Sequence, residues 1–207
     1  MTGSVPERRV GSVPERTSGS VPERTSGFEI VGSTDVCDAG FLSVARVDVR
    51  GPDGESLVRH VVRHPGAVVV VPIDVEGRVV MVRQWRVAAG RELLEVPAGK
   101  RDVEGEPPEE TARRELEEEI GVRPGALELL CEFYNSPGFC DEYTHLYLAT
   151  ELTATARAAV TAEEDAMTIE SVALDDVDDL VARREIVDAK TLVGVYAARA
   201  FLRGAQA

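Results

Sequence analysis

The segment Ala67-Val-Val-Val-Val-Pro-Ile73 constrains the fold of this 207-residue chain more than any other. A continuous β-branched run offers no polar face to water, so it reads as a strand buried on both sides and closed at Pro72. It is far short of the ~20 residues needed to span a bilayer. After the turn at residues 74–77, residues 78–83 repeat the pattern as a second central strand. Residues 92–96 give a third, closed by Pro97-Ala98-Gly99. Residues 28–62 instead alternate, as in Leu42-Ser-Val44-Ala-Arg-Val47-Asp-Val49, with turn residues at Gly51-Pro-Asp-Gly54. That alternation predicts an antiparallel hairpin or three-stranded unit.

Pro107-Pro108 opens a run of strong helix formers over residues 109–120, and Gly121 stands where a helix stops. Further strands are expected around 127–133, 144–149 and 168–174, with a closing helix over about 187–202. Strands and helices do not alternate regularly, so the expectation is an α+β domain with a mixed sheet rather than a doubly wound one. The length suits about one domain. Residues 3–26 repeat with a period of eight (GSVPERRV, then GSVPERTS twice) and carry too little apolar surface to offset the entropy of ordering. Disorder is expected over 1–26, and the folded domain over 27–207.

Three cysteines, Cys37, Cys131 and Cys140, form no C-x-x-C pair, so neither a disulfide framework nor a zinc ribbon is indicated. No apolar leader is present, and the reading is a soluble, cytoplasmic protein that engages no membrane. The formal charge of −14 argues against a nucleic-acid polymer as partner, since phosphate neutralisation needs clustered Lys and Arg. Only two basic residues are lysines, Lys100 and Lys190.

The acid is concentrated. Residues 104–119 hold eight acids and two bases, and residues 161–179 hold eight acids and none, so the two segments carry the whole formal charge. On the helix Glu115, Glu118 and Glu119 are spaced i, i+3 and i, i+4, which places their carboxylates on one face. Like charges at that spacing destabilise a helix by ~0.2–0.5 kcal/mol per pair. A divalent cation reverses the sign of that cost, and an all-oxygen set suits hard ions such as Mg²⁺. Calcium stays open, although no EF-hand loop is present. The bland alternative is a solvated acidic face.

The surrounding residues sharpen the choice. Glu106, Arg114-Glu115-Leu116, Glu118-Glu119, Gly121 and Val122 resemble the Nudix box, G-x5-E-x7-R-E-U-x-E-E-x-G-U, where U is bulky and aliphatic. Six residues rather than five separate Gly99 from Glu106. An insertion there costs little loop entropy, although it bears on the backbone of Ala98 and Gly99. The resemblance implies a Nudix fold, a mixed sheet sandwiched between helices, and hydrolysis of a nucleoside diphosphate linked to another moiety. It further implies Mg²⁺, with Mn²⁺ as a candidate substitute. By the same resemblance Glu115 and Glu119 are metal ligands, Glu118 joins through a further ion or water, and the Ala98 carbonyl adds a ligand. Glu106, Arg114 and Gly121 are implied as structural.

Ser136-Pro137-Gly138-Phe139, with Pro137 sixteen residues after Gly121, is similar to the mark of the ADP-ribose pyrophosphatase subgroup. So are Val82-Arg-Gln84-Trp85-Arg86, Leu94-Glu-Val-Pro97-Ala98-Gly99 and Glu185-Ile-Val-Asp-Ala-Lys190-Thr-Leu. This implies cleavage of ADP-ribose to AMP and ribose 5-phosphate, with other ADP-sugars as candidates. Substrate contacts are expected from Arg59, Arg86, Gly99, Pro137 and Gly138. Glu163 or Glu164, on a flexible loop, is expected as the base, with Glu164 preferred; it is also a candidate metal ligand. A homodimer is implied, with residues 27–63 reaching the neighbour's pocket. Phe28 and Trp85 are read as packing residues, with adenine stacking as the alternative, and His60 and His64 as loop or strand-end residues. Two rival readings are a housecleaning pyrophosphatase acting on nucleoside triphosphates and a Nudix-like nucleotide sensor that does not hydrolyse.

Overall fold

The computed structural model describes residues 26–157 and 161–204, so the expectation for the repeats falls, but for Ser26, outside the described residues. The alternating amino-terminal segment forms β1 (Glu29–Ala39), β2 (Leu42–Arg50) and β3 (Ser56–Arg63), one antiparallel sheet in the order β1-β2-β3. The valine run is β4 (Ala67–Pro72), followed by β5 (Arg78–Arg86), β6 (Arg91–Glu95) and β7 (Ala98–Lys100).

Next come helix α1 (Pro108–Ile120), β8 (Val122–Tyr134) and β9 (Tyr143–Ala154), then the short helix α2 (Ala162–Asp165) and β10 (Thr168–Ala173). A single 3-10 turn at Leu174–Asp176, α3 (Val177–Ala182) and α4 (Ala189–Gly204) complete the chain. One sheet runs β7-β4-β9-β8, with β4 parallel to β9 and its other pairs antiparallel; a second runs β10-β5-β6. The sheet system is mixed, as the irregular element order implies. The chain has an α+β fold.

β4 is the centre of the domain because its side chains alternate between two cores. Val69 and Val71 pack with Met81, Leu94, Val195 and Ala198 on the α4 side. Val68 and Val70 pack with Ala112, Leu116 and Ile120 on the α1 side. All four valines are fully buried, each of order 1.5–3 kcal/mol in transfer terms. Both helices are thereby pinned to one strand, and the domain is a sheet covered on both faces.

α1 begins as its sequence dictates, with Pro108 in the first turn and Glu109 and Glu110 near its positive end. It stops at Gly121, whose φ of 63° is left-handed and whose N–H reaches the carbonyls of Leu116 and Glu117. The residue added before Glu106 is absorbed in the loop. Ala98, Gly99 and Lys100 keep their register against Val69, Val68 and Ala67.

α4 starts two residues later than its composition implies, because Asp188 caps it. Its Oδ2 accepts from the Thr191 N–H at 2.8 Å and from the Thr191 hydroxyl at 2.9 Å, while Lys190 Nζ donates to Oδ1 at 2.9 Å. Thr191 Oγ1 in turn accepts from the Val96 N–H at 3.1 Å. This chain ties the helix to the segment that leads into Ala98. Burial would raise the Asp188 carboxyl, but Lys190 and the two Thr191 donors outweigh it and hold the group below its ordinary value. A carboxyl depressed on folding stabilises the native state above about pH 4, and that contribution is lost as pH falls through the folded value. Asp188→Ala is expected to cost about 1–3 kcal/mol at pH 7. Urea unfolding of both proteins should show the gap closing toward pH 3; a gap independent of pH would mean that the charge plays no part.

Candidate active site

A cavity of about 550 Å³ opens where α1, β5, β7 and α2 meet. α1 contributes Arg114, Glu115, Glu118 and Glu119, the face that helical spacing places together. Arg114 is the hub of this face. Its guanidinium reaches Glu106 at 3.3 Å, Glu115 at 2.8 Å and Glu118 at 3.0 Å. Three carboxylates keep it firmly protonated against its burial. Glu106 also accepts from the Thr111 hydroxyl at 2.8 Å, which fixes the loop before the helix.

Glu115 and Glu119 are buried. Desolvation, augmented by the charges of Glu118 and Glu164, pushes Glu115 up to about 7 despite Arg114. Desolvation and the charge of Glu115 push Glu119 up to about 8, although Ala98 N–H and Arg86 oppose the shift. Ala98 meets Glu119 through its N–H, which donates to Oε2 at 3.2 Å. Gly99 is required by the same approach: a Cβ at that position would lie 1.8 Å from Cδ of Glu115. The backbone of β7 and two acidic side chains therefore share a space with no room for a further carbon.

The donor set fits a hard divalent cation. It is composed of oxygen, it is packed against backbone, and it carries more negative charge than its surroundings stabilise. Among the described residues no three His, Cys, Asp or Glu side chains are already drawn together as a cation cage. Arg114 Nη1 is the counter-ion that Glu115 and Glu118 share.

Opposite α1, Arg86 makes a two-point pair with Glu95, Nε at 2.9 Å and Nη2 at 2.7 Å. Glu95 is 1% exposed, so the guanidinium has a structural duty whatever else it does. Gln84, two residues earlier on β5, also lines the cavity.

The far end of the cavity contains groups that sequence reasoning did not select. Phe41, at the turn between β1 and β2, packs edge-on to His64 and lies under Lys100, whose Nζ is 4.5 Å from the ring centre. The amino-terminal hairpin thus reaches the cavity of its own chain. His64 Nδ1 accepts from the Gly66 N–H at 3.0 Å, and burial lowers its pKa, so the neutral ring carries its proton on Nε2. Lys190 lines the same cavity, so both lysines of the sequence converge there. Their rarity is the one sequence signal that singled them out.

Glu163 and Glu164 reach the cavity from α2, which is one helical turn where a loop was expected. Thr161 and Glu164 form its capping box, Glu164 N–H to Thr161 Oγ1 at 3.1 Å and Thr161 N–H to Glu164 Oε2 at 3.2 Å. Arg157 donates to the Glu164 carbonyl. Arg59, Pro137 and Gly138 are exposed and lie outside the lining of the single-chain cavity. Arg59 donates to the Val58 carbonyl, and the Pro137 loop is tied to β3 through Val62 N–H and the Phe139 carbonyl at 2.7 Å. Phe28 and Trp85, read as packing residues, are each more than half exposed. Trp85 points away from Gln84 and Arg86 because neighbours along a strand face opposite sides.

The fold and this acidic helix define a family. The chain belongs to the Nudix family: the model described as NUDIX domain matches residues 62–192. An ADP-ribose pyrophosphatase of Bacillus subtilis (strain 168) is 43% identical over 148 residues, covering 72% of this chain and 80% of that protein. An ADP-ribose pyrophosphatase of Mycobacterium tuberculosis (strain ATCC 25618 / H37Rv) is 39% identical over 177 residues, 86% of each chain. The crystal structure of an ADP compounds hydrolase superposes with a TM-score of 0.75 at 22% identity, covering 86% of this chain and 95% of that one; it shares the fold.

Gly99 gives the site a sharp test. The group a methyl would strike is the mobile end of Glu115, so Gly99→Ala is expected to keep the melting temperature within a few degrees, roughly 1 kcal/mol. Calorimetric uptake of Mg²⁺ should be lost. Wild-type uptake would show that the crowding of β7 against α1 is irrelevant to the ion.

Proposed function

We propose that this Nudix hydrolase cleaves the pyrophosphate bond of ADP-ribose, giving AMP and ribose 5-phosphate, with other ADP-sugars as further candidates. The observation that carries the reading is the set Glu115, Glu118 and Glu119, packed against Ala98 and Gly99 and facing a cavity large enough for a nucleoside diphosphate sugar. Relatives named for this reaction, at 39% and 43% identity, support the substrate.

Nudix hydrolases use divalent cations. The ion proposed here is Mg²⁺, with Mn²⁺ as its substitute, held by Glu115, Glu119, the Ala98 carbonyl and, through a further ion or water, Glu118. When bound, such an ion neutralises charge on the diphosphate oxygens and makes a bound water more acidic. The chain supplies the rest. Glu106 and Gly121 fix the box at either end, and Arg114 orients the acids. Gly99 admits the Glu115 side chain against the backbone of β7 and is read as a substrate contact, and Nη1 of Arg86 remains for a phosphate oxygen once Glu95 has taken Nε and Nη2. Glu164 is the preferred base and an additional ligand, with Glu163 the alternative. The position of Glu164 supports this choice: its charge is felt at both Glu115 and Glu119, and its capping box holds it in place.

Arg59, Pro137 and Gly138 are substrate contacts in this reading, and they lie outside the cavity of one chain. A second copy is what would bring them to a site. The domain at residues 27–207 is accordingly read as a homodimer joined through the sheet of residues 27–63, whose outer strand β1 exposes Ile30, Val31 and Val36. Light scattering at assay concentration should return twice the 22.4 kDa chain mass; a monomer that still turns over ADP-ribose would refute the assembly.

The chemistry is tested with Mg²⁺, ADP-ribose and labelled water. AMP and ribose 5-phosphate are the expected products. Glu118→Gln and Glu119→Gln should each lower kcat by about two orders of magnitude or more with the melting temperature preserved, since each removes an ion ligand and leaves the helix face intact. Near-normal turnover in both would refute the metal assignment.

A further inference from the structure

One polar side chain in the cavity is explained neither by the acid cluster nor by its counter-ions. Gln84 lies on β5 two residues before Arg86, so the two side chains leave the strand on one face. Gln84 is 6% exposed and lines the cavity. Its Nε2 nevertheless has no hydrogen-bond partner among the described residues.

An amide NH₂ taken out of water without an acceptor destabilises a fold, which is why most buried polar atoms are paired. A methionine would fill the same length on this strand without that cost. Of the seven buried side-chain atoms without a partner among the described residues, Gln84 Nε2 is the one whose residue lines the cavity, where a ligand can supply the acceptor. The acids nearest the cavity wall are committed: Glu95 to Arg86, Glu115 to Arg114, and Glu119 to the Ala98 N–H. The adjacent guanidinium is committed on two of its three nitrogens. A ligand oxygen that enters here meets the Gln84 amide beside a fixed positive charge, and an anionic oxygen suits that pair better than a hydroxyl.

We infer that Gln84 is a substrate-contacting residue whose Nε2 donates to a non-bridging phosphate oxygen, alongside Nη1 of Arg86. The inference rests on the reading of the protein as a diphosphate hydrolase. It adds a neutral donor to the set that binds the phosphate group, on the wall against which α2 and its acids pack.

Two variants test it. Gln84→Met removes the donors and keeps the length; Gln84→Glu keeps the shape and replaces donors with acceptors. Turnover of ADP-ribose with Mg²⁺, calorimetric binding of AMP and melting temperature are measured for each. In Gln84→Met, kcat/KM is expected to fall about tenfold to a hundredfold and the Kd for AMP to rise about fivefold or more, with a melting temperature at or above the wild-type value. Gln84→Glu should lose at least as much of both. Kinetics and AMP affinity within about twofold of wild type in both variants would overturn the assignment. So would losses that track a lowered melting temperature in both, which is how a packing residue behaves. If the wild-type protein leaves ADP-ribose intact, the reaction is wrong on its own account, and the AMP titrations still decide the role of Gln84.

Discussion

The contact between the backbone at Ala98–Gly99 and the carboxylates of Glu115 and Glu119 is the constraint on which the rest of the structure depends. It demands that a short strand and a helix face approach closely enough to exclude a β-carbon. β4 meets that demand by holding both partners: Val68 and Val69 pair with Gly99 and Ala98, while Val68 and Val70 pack beneath Leu116. A strand with apolar side chains on both faces serves as the jig for an acidic site. The hydrophobic core thereby takes both acids out of water, which raises the proton affinity of each, and neighbouring carboxylates add to it: Glu118 and Glu164 at Glu115, Glu115 and Glu164 at Glu119.

Two arginines manage the resulting field in different ways. Arg114 spends its charge on Glu106, Glu115 and Glu118 within the box, so it acts as an internal counter-ion. Arg86 is locked to a carboxylate with almost no access to water. Loss of Arg86 would leave Glu95 buried and unpaired, a defect of about 3–5 kcal/mol in a fully buried pair and less here, where the guanidinium keeps some solvent access. A diminished activity in an Arg86 variant is therefore not by itself a sign of substrate contact.

Most of the fold was legible because its signals are local. The valine run, the proline-opened helix with its terminal glycine, and the alternating amino-terminal strands each follow from periodicity and turn chemistry within a short window. The acidic face of α1 was legible for the same reason, since helical spacing alone brings Glu115, Glu118 and Glu119 together. Phe41, His64 and Lys190 were not, because they converge from a hairpin turn, the end of a strand and a helix start that are remote in sequence. Glu163 and Glu164 were expected on a loop; the capping box with Thr161 converts that loop into a helical turn.

Several uncompensated groups share one site, although among the described residues six other buried unpaired atoms, Asn135 Oδ1 and His145 Nδ1 among them, belong to residues that do not line it. Two desolvated acids, a buried amide NH₂ without an acceptor and a guanidinium that Glu95 holds by Nε and Nη2 all line one cavity. The acids and the amide cost stability in the isolated chain, and all three kinds of group suit a ligand of the opposite kind: cations for the acids, anionic oxygens for the donors. A metal-bound diphosphate presents both at once. The fold can carry these costs because β4 and the two helices it anchors bury so much apolar surface next to them. That part of the strain which lies at the cavity is the part a substrate would discharge.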